Sequence, residues 1–444
     1  MKIALPKDVQ VILQTLQKNG YEAYAVGGCV RDSILGRIPD DWDITTSAKP
    51  EQIKACFEKT VDTGIQHGTI TVILHGEGYE VTTYRIDGEY EDNRHPKSVQ
   101  FTASLKEDLM RRDFTTNAMA YNDEVGLVDY YEGIEDIQKK IIRAVGDPIC
   151  RFTEDALRIM RAVRFCAQLG YTMEEKTMEG VRALAPNLSH ISAERIQVEL
   201  TKLLCSPHPD YLRLAIEGGI TKVVLPELDL AMETEQHNPH HCYTVGEHIL
   251  HSLLYVPADK VLRYTMLFHD LGKPETKTRD EAGKDHFYGH CDKSESLSKQ
   301  IFKRLKMDND TIYQVTKLVK YHDLDMALTP YGVRKAIVKM GEDLFPKLLL
   351  VKEADLKAQS EYQYKEKWEK LETIKSLYQE ILERKDCVSL KTMAVTGNDL
   401  LEIGIPQGKE MGKILQDLFQ QVLVKPELNS KEILLKMVQK KNQF

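Results

Sequence analysis

The sequence predicts an α+β protein in which about 145 residues of mixed short strands and helices precede a mostly α-helical remainder. Residues 69–74 and 79–84 are rich in β-branched and aromatic side chains and flank the polar segment 75–78, as paired strands do. After Asp147-Pro148, apolar residues recur at the spacing of one helix face to about residue 385. We therefore expect an N-terminal mixed or antiparallel sheet with helices, followed by helical domains.

Composition narrows the class of protein. The chain has 444 residues, 42% hydrophobic and 29% charged, which is typical of soluble globular proteins. No run of about 18 apolar residues predicts a membrane span, and the N-terminus lacks the apolar core of a signal peptide. The eight cysteines include no C-x-x-C pair, which favours reduced thiols and a cytoplasmic location. The sequence makes no prediction of oligomeric state.

The charge distribution bears on nucleic-acid binding. A net charge of −8 argues against a generally basic nucleic-acid binder, but it is compatible with a local basic groove. Between Lys139 and Arg164, lysines and arginines outnumber the acidic residues. This stretch predicts either a phosphate-binding surface or an ordinary solvated helix face.

A glycine pair followed by an Asp-x-Asp pattern is the most informative feature. Gly27 and Gly28 end the apolar run 23–26 and open a short helix, where backbone N–H groups can approach a phosphate. Asp41 and Asp43 are two positions apart, so in a strand both carboxylates point to one face and suit Mg²⁺. Two such ions clamp the attacking and leaving oxygens of a phosphoryl transfer. Either pattern alone is usually a turn, but in this order they predict a nucleotidyltransferase palm.

Two further side chains belong to this prediction. Arg31, in the first helical turn, supplies a fixed positive fork for phosphate oxygens. Glu80, on the second predicted strand, is a candidate third carboxylate, with an ordinary surface glutamate as the alternative. The polar segment 87–96, which contains glycine and proline, predicts a mobile loop.

A third pattern lies in the helix predicted for residues 154–165. Asp155 and Arg158 are three positions apart and would lie side by side, with Arg161 and Arg164 around the same side. The simplest interpretation is a surface ion pair. However, aspartate only accepts hydrogen bonds and arginine only donates them. Cytosine and adenine present an amino donor beside a ring-nitrogen acceptor, and uracil and guanine present the reverse. The pair would therefore accept CTP and ATP and reject UTP and GTP.

These motifs closely resemble those of the class II tRNA nucleotidyltransferases, the bacterial CCA-adding enzymes. The matching segments are residues 27–32, 41–43, 111–118, 154–165 and 191–196. The resemblance covers the first 200 residues nearly continuously. It implies addition of CCA to the 3′ end of tRNA from CTP and ATP. In that reaction the tRNA 3′-hydroxyl attacks the α-phosphate, with Mg²⁺ as the cofactor.

The same resemblance implies roles for individual residues. Metal binding is implied at Asp41 and Asp43. Contacts to the triphosphate and sugar are implied for Gly28, Arg31, Arg112 and Asn117. Base reading is implied for Asp155 and Arg158, with Arg161 and Arg164 near the nucleotide.

The resemblance also implies a domain organisation, with tRNA lying along a largely helical surface. The implied domains are a head at 1–145, a neck at 146–215, a body at 216–385 and a tail at 386–444. In that family, the loop that matches residues 87–96 takes part in the switch from C to A addition. Its presence here favours full CCA addition.

Histidines and aspartates on the later predicted helices indicate a second metal site. Imidazole combined with carboxylate suits a transition metal better than Ca²⁺. The pattern resembles the HD phosphohydrolase superfamily, in forms found inside some CCA-adding enzymes, and implies such a domain at about 237–330 with Mn²⁺, Ni²⁺ or Co²⁺. The implied ligands are His248, His269, Asp270 and Asp323, with His290 and His322 lining the site.

Other functions stay open from the sequence. Poly(A) polymerases, A-adding and CC-adding enzymes share the head motifs. A different class would be an HD phosphohydrolase whose head only positions RNA, although intact Asp41, Asp43 and Arg112 argue against it. The expected partners are tRNA, CTP and ATP, with no membrane.

Overall fold

The computed structural model describes residues 2–87 and 99–441. The chain divides into two compact units, Met1–Asp229 and Leu230–Phe444. Nearly all of the segment 87–96, predicted to be a mobile loop with a part in the switch from C to A addition, lies outside the described residues. The boundaries of head, neck, body and tail stay a prediction.

Strands and helices are mixed in the first unit to about residue 145, and helices dominate it from Pro148 onward, as the sequence predicts. Its strands are β1 (Ala23–Val26), β2 (Ile44–Thr46), β3 (Thr60–Gly64), β4 (Thr69–Leu74), β5 (Glu77–Thr83), β6 (Arg85–Asp87), β7 (Val99–Phe101), β8 (Met119–Asn122), β9 (Gly126–Asp129), β10 (Ile141–Ile142) and β11 (Thr172–Met173). Its helices are α1 (Lys7–Lys18), α2 (Gly28–Ile34), α3 (Pro50–Cys56), α4 (Leu105–Met110), α5 (Gly133–Lys139), α6 (Pro148–Glu154), α7 (Leu157–Leu169), α8 (Glu175–Leu184), α9 (Ala193–Leu204), α10 (Leu212–Glu217) and α11 (Thr221–Val224).

The main sheet of this unit is mixed and has the strand order β3-β4-β5-β2-β1-β8-β9. Strands β2 and β5 run parallel, and the other neighbours run antiparallel. Strand β1 lies near the middle and is buried on both faces. Ala23 and Ala25 join one hydrophobic cluster, whereas Tyr24 and Val26 join the other. Because successive side chains point to opposite faces, the run is apolar throughout rather than alternating.

The hairpin between β4 and β5 is tighter than predicted. Its turn consists of His75 and Gly76, with φ values of 50° and 89°, and not of the whole segment 75–78. Positive φ at both central residues gives a turn whose twist matches that of the flanking strands. Glu77 and Gly78 therefore pair in the ladder, opposite Leu74 and Ile73.

The second unit is almost entirely helical, which confirms the predicted α+β class. Helix α12 (Pro226–Glu233) crosses the division between the units. The helices that follow are α13 (Val245–Leu253), α14 (Lys260–Phe268), α15 (Lys273–Thr276), α16 (His290–Arg304), α17 (Asn309–Tyr321), α18 (Pro330–Met340), α19 (Phe345–Lys357), α20 (Tyr364–Glu383), α21 (Gly397–Glu402), α22 (Lys409–Val424) and α23 (Lys431–Lys441). One short hairpin pairs β12 (Thr278–Arg279) with β13 (Asp285–His286). Within the described ranges, no helix is long and apolar enough to span a bilayer.

A buried arginine fastens α18 to the end of α22. Arg334 is 3% exposed and donates through Nε to the carbonyl of Leu423 (2.8 Å) and through Nη1 to Asp386 (2.7 Å). The last carbonyls of a helix have no partners inside it, so Arg334 satisfies one that would otherwise be unpaired. Arg384 approaches the same carboxylate at 3.6 Å, but its side chain is half exposed.

We expect Arg334→Met to lower the free energy of unfolding of the second unit by about 3–5 kcal/mol, because it leaves Asp386 buried without its cation. Arg384→Met is the matched control and should cost less than about 1 kcal/mol, as exposed pairs do. Urea denaturation followed by circular dichroism measures both. Equal losses in the two variants would contradict the anchoring role of Arg334.

Candidate functional site

The turn from β1 into α2 requires glycine and brings Arg112 close. Gly27 has a φ of 84°, and a Cβ at this position would lie 3.0 Å from Nη1 of Arg112. Only glycine adopts this backbone freely and leaves that space. Arg112 also acts on Asp43 electrostatically, so the predicted triphosphate and metal residues share one region.

Asp41 and Asp43 lie in the segment without regular secondary structure directly before β2, not inside a strand as predicted. The Asp43 carbonyl accepts a hydrogen bond from the Val26 N–H (3.0 Å), which ties the segment to the end of β1. Both side chains are accessible, and neither carboxylate receives a hydrogen bond from the described part of the chain. Partial desolvation by the surrounding protein raises the pKa of Asp43. The positive charge of Arg112 opposes this effect, and the negative charge of Asp41 adds to it.

Glu80 fits the predicted third position by register. Strands β2 and β5 are parallel, with Ile44 opposite Val81 and Thr45 opposite Thr82. Asp43 directly precedes Ile44, and Glu80 directly precedes Val81, so the two acidic residues adjoin the first printed pair of this ladder. Glu80 is exposed. A site with three carboxylates is therefore compatible with the register.

A chain of hydrogen bonds links the predicted nucleotide residues. Arg31 donates from Nη1 to Oδ1 of Asn117 (2.5 Å), and Asn117 donates from Nδ2 to Asp113 (3.1 Å). The second oxygen of Asp113 accepts from Nε and Nη2 of Arg161 at 2.8 and 2.5 Å. Burial would raise the pKa of Asp113, but Arg161 and Asn117 hold it well below its usual range. Asp113 is thus the charged centre between α2 and α7.

Three arginines surround the ring of Phe165 on α7. The guanidinium carbons of Arg164, Arg31 and Arg161 lie 3.9, 5.1 and 5.3 Å from its centroid. Glu199 on α9 forms an ion pair with Arg164 at 2.6 Å. Burial lowers the pKa of Arg164 to about 10, although Glu199 opposes the shift. The cluster therefore combines positive charge with a buried aromatic ring.

The structure does not pair Asp155 with Arg158, so the single helix predicted for 154–165 is wrong. The chain is extended at Asp155, between α6 and α7, where the carboxylate accepts from the N–H of Leu157 (3.0 Å). An aspartate that bonds its own backbone in this way competes with helix formation. Asp155 then pairs with Arg195 of α9 at 2.8 Å.

Arg158 has partners of its own. It forms an ion pair with Glu154 at 2.6 Å and donates to the carbonyls of Arg151 (3.1 Å) and Arg111 (2.8 Å). Other arginines of the basic stretch also have acidic partners: Arg143 pairs with Asp136 and Glu174. Much of the positive charge that the sequence concentrates between 139 and 164 is therefore neutralised locally.

In the second unit, the side chains of four candidate metal ligands lie close together. Three of them are predicted from the sequence, His248, His269 and Asp270, and the fourth, Asp355, is not. Nε2 of His248 lies 3.2 Å from Nε2 of His269 and 2.8 Å from a carboxylate oxygen of Asp355. Oδ2 of Asp270 lies 3.6 and 3.4 Å from the same two nitrogens. Burial opposes ionisation of Asp270, but Lys273 and the histidines hold its pKa well below the usual value. Lys273 Nζ is 2.7 Å from Oδ2.

Backbone carbonyl groups orient the histidine rings by accepting hydrogen bonds from Nδ1, the ring nitrogen on the far side from Asp270. Nδ1 of His248 is 3.2 Å from the Ala358 carbonyl, and Nδ1 of His269 is 2.7 Å from that of Met266. His290 and His322 make the same contact, at 2.9 Å to Phe287 and 2.7 Å to Val319. A ring that donates from Nδ1 presents the lone pair of Nε2, as metal ligands do.

Asp355, which the sequence does not single out, is the aspartate in contact with His248 and His269. Asp323 as a metal ligand stays a prediction. Asp323 is exposed and acts electrostatically on Cys291 and Lys352. His290 and His322 lie on the opposite side of Asp270, 3.5 and 3.7 Å from its Oδ1. Cavities of about 410 and 810 Å³ adjoin this region and share the side chains of His240, His241 and Asp323.

Comparisons with known proteins assign the family. The Poly A polymerase head domain family matches residues 23–143, a family described as "Probable RNA and SrmB- binding site of polymerase A" matches 170–232, and tRNA nucleotidyltransferase domain 2 matches 287–438. A CCA-adding enzyme of Levilactobacillus brevis is 36% identical over 98% of both chains. The chain belongs to the CCA-adding enzyme family. The resemblance to class II tRNA nucleotidyltransferases is confirmed.

Two further comparisons describe the extent of this likeness. A Leuconostoc mesenteroides CCA-adding enzyme is 52% identical over 214 residues, 48% of this chain and 53% of that protein. The chain thus spans about half the length of the first curated relatives it matches. The crystal structure of the Bacillus stearothermophilus CCA-adding enzyme in complex with CTP is 29% identical, covers 98% of each chain and has a TM-score of 0.72. The mixed head and helical remainder are those of a CCA-adding enzyme.

Several residues of these sites were not predicted, although the sequence carries signals for some. Glu199 lies among Ile196, Leu200 and Leu203 on the apolar face of α9, and a buried acid on such a face needs a cation. Asp355 lies on the same face of α19 as the buried Leu348 and Val351. Asp113 and Arg195 fall inside recognised motifs but have no spacing that predicts their partners.

Proposed function

We propose that this chain adds CCA to the 3′ end of tRNA, using CTP and ATP, as a member of the CCA-adding enzyme family. One observation carries the proposal. Asp41 and Asp43 are accessible carboxylates without hydrogen-bond donors, and they lie in the same region as Arg112. Arg31 lies in the preceding helix, α2. Carboxylates that are not engaged by the protein suit metal ions, and the arginines suit a triphosphate.

The residues fit a magnesium centre with oxygen ligands. Mg²⁺ at Asp41 and Asp43, with Glu80 as a third carboxylate, would activate the tRNA 3′-hydroxyl and neutralise the pyrophosphate that leaves. The protein's own part is positioning. Arg112 and Arg31 orient the triphosphate, and Arg31 is braced by Asp32 at 2.9 Å and by Asn117. Bracing reduces the entropy lost when the guanidinium binds phosphate.

Base selection is proposed for Asp155 and Arg158. Arg195 and Glu154 hold these two side chains in place before a nucleotide enters. The amino group of a cytosine or adenine then donates to Asp155, and the ring nitrogen beside it accepts from Arg158. These hydrogen bonds replace those to Arg195 and Glu154. Phe165 and the arginines around it support the nucleotide from the side.

A poly(A) polymerase, A-adding or CC-adding activity is distinguished by the product. Incubation with tRNA that lacks its 3′ end, with each labelled triphosphate separately and together, should give C, C and A in order. Addition of A alone, or of CC alone, would replace the proposed reaction by one of these alternatives.

A second function, metal-dependent phosphoester hydrolysis, is favoured by the convergence of His248, His269, Asp270 and Asp355. For nitrogen ligands about 2.0–2.1 Å from a tetrahedral ion, the N–N separation is about 3.3 Å, close to the 3.2 Å between the two histidines. The donor set suits a transition metal such as Mn²⁺, Ni²⁺ or Co²⁺, which would supply hydroxide at neutral pH. The 2′,3′-cyclic phosphates of RNA ends are the first substrates to assay.

Asp41→Ala and Asp43→Ala should each reduce nucleotide addition by at least a thousandfold and leave tRNA binding within about twofold, because each removes a metal ligand and no tRNA contact. The neighbouring exposed carboxylate provides the control, since Asp40→Ala should add nucleotides normally. Single-turnover addition and filter binding measure the two effects. Near-normal addition by Asp41→Ala and Asp43→Ala would overturn the magnesium assignment.

Asp155→Ala should weaken discrimination against UTP and GTP by about 1–3 kcal/mol, or roughly 5- to 150-fold, because the base edge loses its acceptor. Competition between CTP and UTP, and between ATP and GTP, gives the ratio of kcat/KM. The exposed Glu175 of α8 is the control position, and Glu175→Ala should keep the ratio. Unchanged selectivity in Asp155→Ala would assign base reading to other residues.

Asp355→Ala should abolish metal binding at the histidine pair and reduce phosphoester hydrolysis at least a hundredfold, while Asp323→Ala keeps the ion. Both variants should add CCA normally, because the palm belongs to the other compact unit. Elemental analysis, turnover of a cyclic phosphate and tRNA addition on the same preparations measure this. Loss of the ion in Asp323→Ala but not in Asp355→Ala would restore the sequence-based ligand set.

A further inference from the structure

The cavity of about 810 Å³ beside the histidine cluster continues the smaller one of about 410 Å³, which is lined by Asp270 and Asp355. The side chains of His240, His241 and Asp323 line both, so the two cavities form one groove in the second unit. Apart from Asp323, no predicted metal ligand lines the larger cavity. Its volume is within the range of cavities that bind small molecules, about 300–1,000 Å³.

Two neighbouring helices give the larger cavity an apolar base with lysines beside it. The lining residues of α20 recur every three or four positions and therefore share one helix face: Lys367, Lys370, Leu371 and Ile374. Helix α19 contributes Lys352 and Leu356, which are one helical turn apart. Leu356, Leu371 and Ile374 are buried. Each helix therefore supplies both apolar surface and positive charge.

The lysines of the larger cavity have no carboxylate bound to them. Within the described part of the second unit, Lys352 and Lys370 form no hydrogen bond and no ion pair. Lys367 donates to Oε1 of Gln359 (2.7 Å), which is a neutral acceptor. Each ammonium group has three donors, so all three lysines keep donors for an anion.

Two carboxylates also line the larger cavity, and they are fewer than the lysines. Asp323 lies at the end shared with the smaller cavity, and both Asp323 and Asp325 are exposed. Neither forms an ion pair with a lysine of the described residues, and both act on Lys352 through longer-range electrostatics. The lining therefore keeps a net positive charge, which favours an anionic ligand.

A short chain of hydrogen bonds connects these lysines to the metal position. Gln359, which accepts from Lys367, donates from Nε2 to Oδ2 of Asp355 (2.9 Å). The other oxygen of Asp355 contacts Nε2 of His248 at 2.8 Å. One amide group thus separates the Lys367 amine from a candidate metal ligand, so a single ligand with two neighbouring phosphates could reach both.

We propose that the larger cavity binds a second phosphate of the substrate that is hydrolysed at the histidine cluster. The substrate class is then a nucleotide with a phosphate on each side of one ribose. The scissile phosphate lies at the metal position, and a 5′-phosphate lies at Lys352, Lys367 and Lys370. Lysine ammonium groups are compact cations that suit phosphate, and the buried apolar side chains suit a base. The inference rests on the proposed phosphoester hydrolysis.

The terminal nucleotide of an RNA strand and a free nucleoside bisphosphate both have this chemistry, and three substrates separate them. Adenosine 2′,3′-cyclic phosphate has the scissile group alone, and its 5′-phosphorylated form adds the second phosphate as a monoester. The adenosine dinucleotide with a terminal 2′,3′-cyclic phosphate has it as a diester. In each, water attacks phosphorus, one ribose P–O bond breaks and the ribose oxygen takes the proton, so kcat/KM compares all three.

Both substrates with the second phosphate should have a kcat/KM about tenfold or more above that of adenosine 2′,3′-cyclic phosphate, because charged donors bind the added group. The double variant Lys367→Gln with Lys370→Ala should lose this advantage, and Lys370→Arg should retain it. Lys365→Ala, at an exposed lysine of the same helix that does not line the cavity, is the matched control and should behave as the wild type.

The competing explanation is that the lysines only extend over apolar surface into solvent, with no ligand. It predicts equal kcat/KM for the three substrates, or an advantage that the double variant keeps, and either result would overturn the second phosphate position. An advantage confined to the dinucleotide would assign the cavity to another nucleoside and overturn the position as well. An advantage of the monoester alone would support the position and identify free bisphosphates as the substrate.

Binding distinguishes failure of this inference from failure of the proposed hydrolysis. The full chain with Asp41→Ala and Asp43→Ala, which lacks the predicted magnesium ligands of the palm, is titrated by calorimetry without Mg²⁺. Adenosine 3′,5′-bisphosphate should bind about tenfold or more tightly than adenosine 3′-phosphate, and Lys367→Gln with Lys370→Ala should remove the difference. This result without hydrolysis of any phosphoester would count against the phosphohydrolase function and leave the phosphate position standing. Equal affinities in the chain with intact lysines would overturn the position.

Discussion

The site in the first unit depends on one interaction, the ion pair between the buried carboxylate of Asp113 and the guanidinium of Arg161. Arg31, Arg161 and Arg164 share one aromatic ring, and three guanidinium groups so close together repel one another. Asp113 takes two hydrogen bonds from Arg161 and one from Asn117, which in turn binds Arg31. The arrangement can be both rigid and cationic only because this carboxylate and Glu199 balance the charge.

Asp113 and Asp270 are both buried, but they differ in how fully the protein satisfies them. Asp113 accepts from its neighbour's backbone N–H, from an amide and from a guanidinium, so it has little capacity left for a ligand. Asp270 has one lysine and four histidines around it, and one of its oxygens has no donor. Satisfaction of the carboxylate, rather than burial, therefore separates a structural aspartate from a candidate metal ligand.

The sequence predicts more of the fold than of the side-chain pairing. The paired strands β4 and β5, the helical second unit and the closeness of Arg31 to Asn117 follow from local patterns and motifs. The contact between Asp155 and Arg195 does not, because it joins α9 to a break between two helices that helical spacing treats as continuous. Asp355 was missed for a similar reason: it comes to His248 from a helix more than a hundred positions later. An adjacent His-Asp pair marks such a site, but the remaining ligand is set by tertiary packing.

The position of β1 in its sheet has a consequence for synthesis of the chain. Its partners are β2, which follows shortly, and β8, where Ala25 pairs with Tyr121. The centre of the sheet therefore has a high contact order, and its closure has to overcome the entropy of the long intervening loop. While a ribosome is still making the first hundred residues, Asp41 and Asp43 are present but β1 has one open edge. The region around Asp41 and Asp43 can be organised only after β8 has emerged, so we expect this part of the first unit to close late in cotranslational folding.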